Sequence, residues 1–172
     1  CLFVGIMGNE NNITDHGQVD SGNFIYTNMN YNWFVDLGSD QYNVYTYFGH
    51  YYGSPRYNYY KNNAEGHNVV ALTSRQNQSG YINGQYFYGG GYISDFKSCG
   101  DAGMYAILDN KGAYGDLANY ARRGILLTNS RQTTVIQDEI SFKNFESVVW
   151  IGHTAAEITL SGDSKTAYLS AH

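Results

Sequence analysis

Apolar residues in this chain come in short runs of about four to eight, separated by polar, glycine-rich and asparagine-rich segments. Residues 2–6 are one such run, followed by polar turn material over 8–14. Residues 23–29 alternate, with Phe24, Tyr26 and Asn28 on one face and Ile25, Thr27 and Met29 on the other. Asn30 breaks that run and a second apolar stretch follows at 33–37, so the pair predicts a hairpin. Residues 68–73, 92–96 and 104–108 predict further strands, and 116–123 a short turn of helix. The last third is the most regular. Its runs at 123–128, 133–140, 147–151, 157–160 and 166–169 have the rhythm of an antiparallel sandwich. Between 38 and 66 lies a long Tyr- and Asn-rich segment whose aromatic density predicts an ordered, functional loop.

Composition supports an all-β class. There are 18 Tyr, 8 Phe and 20 Gly but a single Pro, and helix formers never dominate a long window. The 172 residues fit one domain with a sizeable core, and no internal repeat or linker divides them. The net charge of -5 argues against a nucleic-acid partner, and no apolar run is long enough to span a membrane as a helix. It sits awkwardly with an acidic substrate, although local charge overrides net charge inside a cleft. The chain begins at Cys1 rather than Met and reads as a piece of a larger protein. Cys1 and Cys99 leave a disulfide open, and the sequons at 12–14 and 77–79 are patterns that chance often produces.

Three local signals carry candidate chemistry. His16 lies in a polar loop that feeds a strand, Asp36 closes an apolar strand, and His67 opens one. Each alone has a bland reading: a solvated loop histidine, a turn-forming Asx residue, a backbone-bonding histidine. Together, two imidazoles and a carboxylate at neighbouring strand ends form a nitrogen-and-oxygen set suited to a metal or to acid–base work. Most of the tyrosines suit strand packing, while some within 42–60 suit stacking on sugar rings. Arg56 and Lys61 are cations that suit a carboxylate or sulfate, Arg56 being the stronger candidate with Tyr57 beside it.

The order of these segments resembles a known family. A loop histidine before DSGNF, then WFVDLGSDQY, then YYKNNAEGHN, then YARRGILLTNSRQTTVIQDEI and VVWIGHTAAEITLSGDSKTAYL, is similar to the C-terminal β-sandwich domain of heparinase II/III-type polysaccharide lyases. The likeness runs from about residue 2 to 169. It implies that 1–172 is a single antiparallel sandwich, a fragment of a lyase whose N-terminal helical toroid supplies a Tyr and an Asn or His. Family sandwiches run further than Leu169, which leaves room for one or more additional strands.

The resemblance implies β-elimination on a uronic-acid polysaccharide, of heparin or heparan sulfate type, another glycosaminoglycan, or alginate. It casts His16 as catalytic and Asp36 and His67 as ligands of a divalent metal, structural rather than catalytic. The third ligand position, a histidine in the family, is Gln18 here. A neutral amide oxygen suits calcium better than zinc, so either ion stays open. The implied partners are the acidic polysaccharide and the toroid, the implied setting is bacterial, periplasmic or secreted, and the isolated domain is expected to be inactive. A non-catalytic carbohydrate-binding module and a structural scaffold are the competing readings.

Overall fold

A computed structural model of the chain describes residues 2–11, 16–72, 78–143 and 147–171. From the N-terminus its strands are β1 (Phe3–Ile6), β2 (Phe24–Asn28), β3 (Tyr31–Phe34), β4 (Val70–Leu72), β5 (Tyr81–Ile82), β6 (Gln85–Tyr86) and β7 (Tyr92–Ser98). They continue with β8 (Met104–Asp109), β9 (Ala118–Thr128), β10 (Thr133–Phe142), β11 (Val148–Trp150), β12 (Glu157–Leu160) and β13 (Ala167–Ser170). The chain is mostly β, in several antiparallel sheets: β1-β2-β3, β10-β9-β8-β7, β11-β4, β12-β13 and β5-β6. Among the described residues no helix is long and apolar enough to cross a membrane.

Local sequence explains the register. Asn28 pairs with Tyr31, leaving Met29 and Asn30 as a two-residue loop, and both take positive φ, as a type I′ turn requires. In β9, Ala121, Arg123, Ile125 and Leu127 are buried while Tyr120, Arg122 and Leu126 are exposed, the period of a strand with one covered face. Over residues 122–127 that strand is paired with both β8 and β10, so its backbone groups are bonded on both edges there.

The turn of helix expected over 116–123 is not formed. A 3-10 segment runs from Lys111 to Leu117, with Gly115 at positive φ inside it, and β9 starts at Ala118. The ladders to β8 and β10 override the weak local preference.

The core has two adjoining clusters. Val19, Tyr57, Ala64, Val69, Ile82 and Phe87 pack beneath the loops. Val70, Leu72, Ala113, Tyr114, Ala118 and Ala121 pack behind them. The two clusters meet at the start of β4, where Val69 joins the first cluster and Val70 and Leu72 the second. Each such large apolar side chain contributes about 1.5–3 kcal/mol when fully buried.

The Tyr- and Asn-rich segment is ordered without strands. It folds as 3-10 turns at Pro55–Asn58, Tyr60–Asn62 and Ala64–Gly66. Ser54 Oγ accepts from Arg56 N–H and Asn63 Oδ1 from Glu65 N–H, so each cap satisfies a donor that a short helix leaves open. Cys99 is exposed. Cys1, Asn12–Thr14 and Asn77 lie outside the described residues.

Candidate functional site

Asparagine builds this region, and it does so from the interior rather than from turns. Asn68 is buried at the head of β4. Its amide donates to Phe24 O (2.7 Å) and Val35 O (2.9 Å), and its Oδ1 accepts from His153 N–H (2.6 Å). One side chain therefore joins β2, the end of β3 and the 151–153 segment. Asn23 continues the network, its Oδ1 accepting from Asn68 N–H and its Nδ2 donating to Asp36 Oδ2 at 2.7 Å. Buried amides so arranged bind separate loops without any ladder.

The network brings Asp36 and His67 together. His67 Nδ1 stands 2.9 Å from Asp36 Oδ2, and Asp36 Oδ1 accepts from Gly38 N–H at 2.7 Å. Burial on its own would raise the Asp36 carboxyl. The hydrogen bonds from His67 and Gly38, the charge His67 can carry and the Asn23 amide outweigh it and hold the carboxyl at about 2. The His67 ring is wholly buried and its Nε2 has no partner among the described residues. Gly66 sets this approach: a Cβ there would stand 2.1 Å from Tyr60 O.

Gln18, Asp20, Asn23 and Asp36 line one open cleft of about 340 Å³ with Gly5 and Ile6. Gln18 Nε2 donates to Asn62 Oδ1 at 3.3 Å. Asp20 accepts from Asn9 Nδ2 at 3.0 Å, and burial, helped by the neighbouring Asp36 charge and opposed by His67 and Asn9, pushes its carboxyl above the usual range. A larger hollow of about 460 Å³ lies on the outer face of β8–β10 around Tyr105, Leu126 and Val135, and none of the candidate site residues lines it.

Asp36 and His67 are thus in contact, and Gln18 lines the same cleft as Asp36. Among the described residues no three His, Cys, Asp or Glu gather into one group.

His16 is exposed on the neighbouring loop and rests on aromatic rings. Its ring centroid is 5.4 Å from Phe48, edge-on, and 5.7 Å from Tyr42. Phe48 and Tyr42 pack on each other and on Tyr47. Tyr42 is 54% and Phe48 44% exposed, so the patch faces solvent. Phe48 escapes a sequence reading because it is one aromatic among many; only its distance to His16 marks it.

Arg56 and Tyr57, expected from the sequence to meet substrate, lie in the interior at 0% and 3% exposure. Tyr57 packs edge-on to Phe87 in the core, which suits its apolar ring. The Arg56 guanidinium is turned to the chain's own carbonyls, with Gly17 O at 2.9 Å from Nη2. Of the two expected cations, Lys61 is the one left partly exposed, 3.8 Å from Asp40. His153 donates its backbone N–H to Asn68, and its ring meets the Tyr60 hydroxyl at 2.9 Å. Burial and the neighbouring His67 hold that imidazole below its ordinary value.

No family model matches the chain. No curated protein matches it either.

Proposed function

We propose that this chain is the C-terminal β-sandwich part of a polysaccharide lyase acting on uronic-acid polymers, with His16 as an acid–base residue. The observation that carries the reading is one juxtaposition. An exposed imidazole stands on an exposed aromatic patch, two residues from Gln18, which lines a cleft with Asp20 and Asp36. Aromatic faces suit sugar rings, and imidazole titrates near neutrality.

In β-elimination the C5–H bond breaks, its electron pair forms the C4–C5 double bond, and the C4–O bond breaks as the bridging oxygen gains a proton. His16 either takes the C5 proton or supplies the one the leaving oxygen needs. The partner groups, and the charge that neutralises the uronate carboxylate, would come from a helical toroid domain. Lys61, partly exposed and 3.8 Å from Asp40, is a cation of the Tyr-rich segment suited to a carboxylate or sulfate.

Asp36 and His67, with the amide oxygen of Gln18, are the residues that would hold the divalent ion the family likeness implies. Such an ion would hold the 16–18 loop to the end of β3. Its role is structural: the chemistry stays with His16 and its toroid partners.

The test is absorbance of the unsaturated uronate product, using the full-length parent protein on heparan sulfate, chondroitin, hyaluronan and alginate. Turnover of at least one is expected, and none on all four sinks the reading. The exposed Tyr42, Tyr45, Phe48 and Tyr51 favour one rival, a non-catalytic glycan-binding module. Saturable binding of a polymer without any product would establish it.

A further inference from the structure

Arg56 has the largest wholly buried side chain among the described residues. Its Nε and Nη2 donate to Gly17 O at 3.3 and 2.9 Å, and its Nη1 donates to Tyr47 O. The guanidinium carbon lies 4.6 Å from the centroid of the Tyr47 ring. Gly17 directly follows His16, and Tyr47 directly precedes Phe48, the ring on which the imidazole rests. One planar group thus grips both sides of the His16–Phe48 contact.

We propose that Arg56 is a positioning residue for His16, a clamp that fixes the histidine loop against the aromatic loop. The proposal rests on the reading that His16 works on substrate. Arginine suits the task because its donors diverge in a fixed fork, so carbonyls on two loops can be met at once. A lysine ammonium carries its three donors on one atom and does not reproduce that fork. A second tie runs parallel to the first. Gln18 Nε2 donates to Asn62 Oδ1, Val19 N–H donates to Asn62 O at 3.2 Å, and Asn62 Nδ2 donates to Arg56 O at 3.1 Å. The histidine loop is therefore held at consecutive residues, 17, 18 and 19, by Arg56 and by the side chain and carbonyl of Asn62, whose amide is bonded to the Arg56 carbonyl. A guanidinium so placed is closed to substrate. Its effect reaches the reaction only through where it holds His16.

The test joins NMR on this chain with kinetics on the full-length protein. In the unaltered chain, the Arg56 Nε proton should be protected from solvent exchange and coupled through its hydrogen bond to the Gly17 carbonyl. Exchange at the rate of a solvated arginine overturns the clamp, and this measurement needs no variant to fold. In Arg56→Lys, the nuclear Overhauser contact between the His16 and Phe48 rings should disappear while the His67 ring signals persist; an unchanged contact overturns the proposal. In the full-length enzyme, Arg56→Lys should lower kcat by about 10²-fold with KM nearly constant, as expected for a misplaced group. A raised KM with unchanged kcat would instead assign Arg56 to substrate binding and overturn the clamp. Absence of lyase activity on every polymer would remove the functional reading, and the two NMR measurements would still decide the clamp.

Discussion

Arg123 and Arg56 are both buried cations, one on a central strand of the four-stranded sheet and one on a 3-10 turn of the loop-built region. Arg123 meets a carboxylate in a fork, Nε to Asp138 Oδ1 at 2.7 Å and Nη2 to Asp138 Oδ2 at 2.9 Å. Its Nη1 donates to Gly22 O and Asn68 O. Asp138 lies opposite it in the ladder, on β10. The Arg56 guanidinium meets backbone carbonyls, ring faces and the Tyr57 side chain, and among the described residues no carboxylate pairs with it. The sheet places its charge pair by register, whereas the loops have no register and are placed by the charge itself. Changes at Arg123 should therefore be felt by the whole fold, and changes at Arg56 by the loops around His16.

Arg123→Met should show the largest effect. It leaves the half-buried Asp138 carboxylate without its partner, a loss of about 3–5 kcal/mol for a broken buried pair. Chemical denaturation followed by circular dichroism measures it, and a loss below about 1 kcal/mol would mean the sheet does not depend on the pair.

Gly66→Ala tests the loop side. A Cβ at 66 collides with the Tyr60 carbonyl, so the backbone must move, costing about 1–3 kcal/mol by the usual range for overpacking. The same denaturation experiment reads the cost, and NMR should show the His67 ring signals shifting with it. A stable variant with unmoved His67 signals would break the claim that this close approach sets the Asp36–His67 pair.

Acid should loosen the same pair. The Asp36 carboxyl sits at about 2 in the fold against 3.8 when free. Its stabilising contribution is complete above about pH 4 and is lost as pH falls toward 2. The size is about 1–2 kcal/mol after allowing for the part of the carboxylate that faces water. Denaturation midpoints of the chain in a chelator, with and without Asp36→Asn, isolate it, and parallel pH profiles would refute it.

Asp20 has the opposite sign. Its carboxyl is raised in the fold, so stability is lost as pH rises above about 4 through the folded value. Asp20→Asn keeps an oxygen for Asn9 and removes a buried charge beside Asp36. It should stabilise the chain at pH 7, with little effect near pH 4. Destabilisation at pH 7 in a thermal melt would show that the ionised carboxylate is needed there.

The two regions also differ in what their sequences disclose. The β9–β10 pair is legible because Ile125 and Leu127 alternate with exposed positions, and period-2 burial leaves a pattern. The hairpin at 29–30 is legible from its breaker residue. The start of β9 was hidden, since 116–123 carries a local pattern that only pairing to β8 and β10 overrides. In the site, Asp36 and His67 could be singled out as strand-end residues, and the fold joins them across 31 positions. Arg56 was misleading for a physical reason. An arginine amid tyrosines reads as a surface cation, and its burial depends on carbonyls of Gly17 and Tyr47 that no periodicity brings near. The asparagines read as turn residues, while Asn23, Asn62 and Asn68 serve as internal cross-links because a loop-built region must satisfy its backbone through side chains.

The most direct measurement on the loop-built region is turnover of the full-length protein with and without His16→Ala, followed by the ultraviolet absorbance of unsaturated product. His16 is exposed, so the variant should keep its fold by circular dichroism while kcat falls by about 10²–10⁴-fold, the usual share of a general acid or base. Unchanged turnover in a folded His16→Ala protein would contradict the reading.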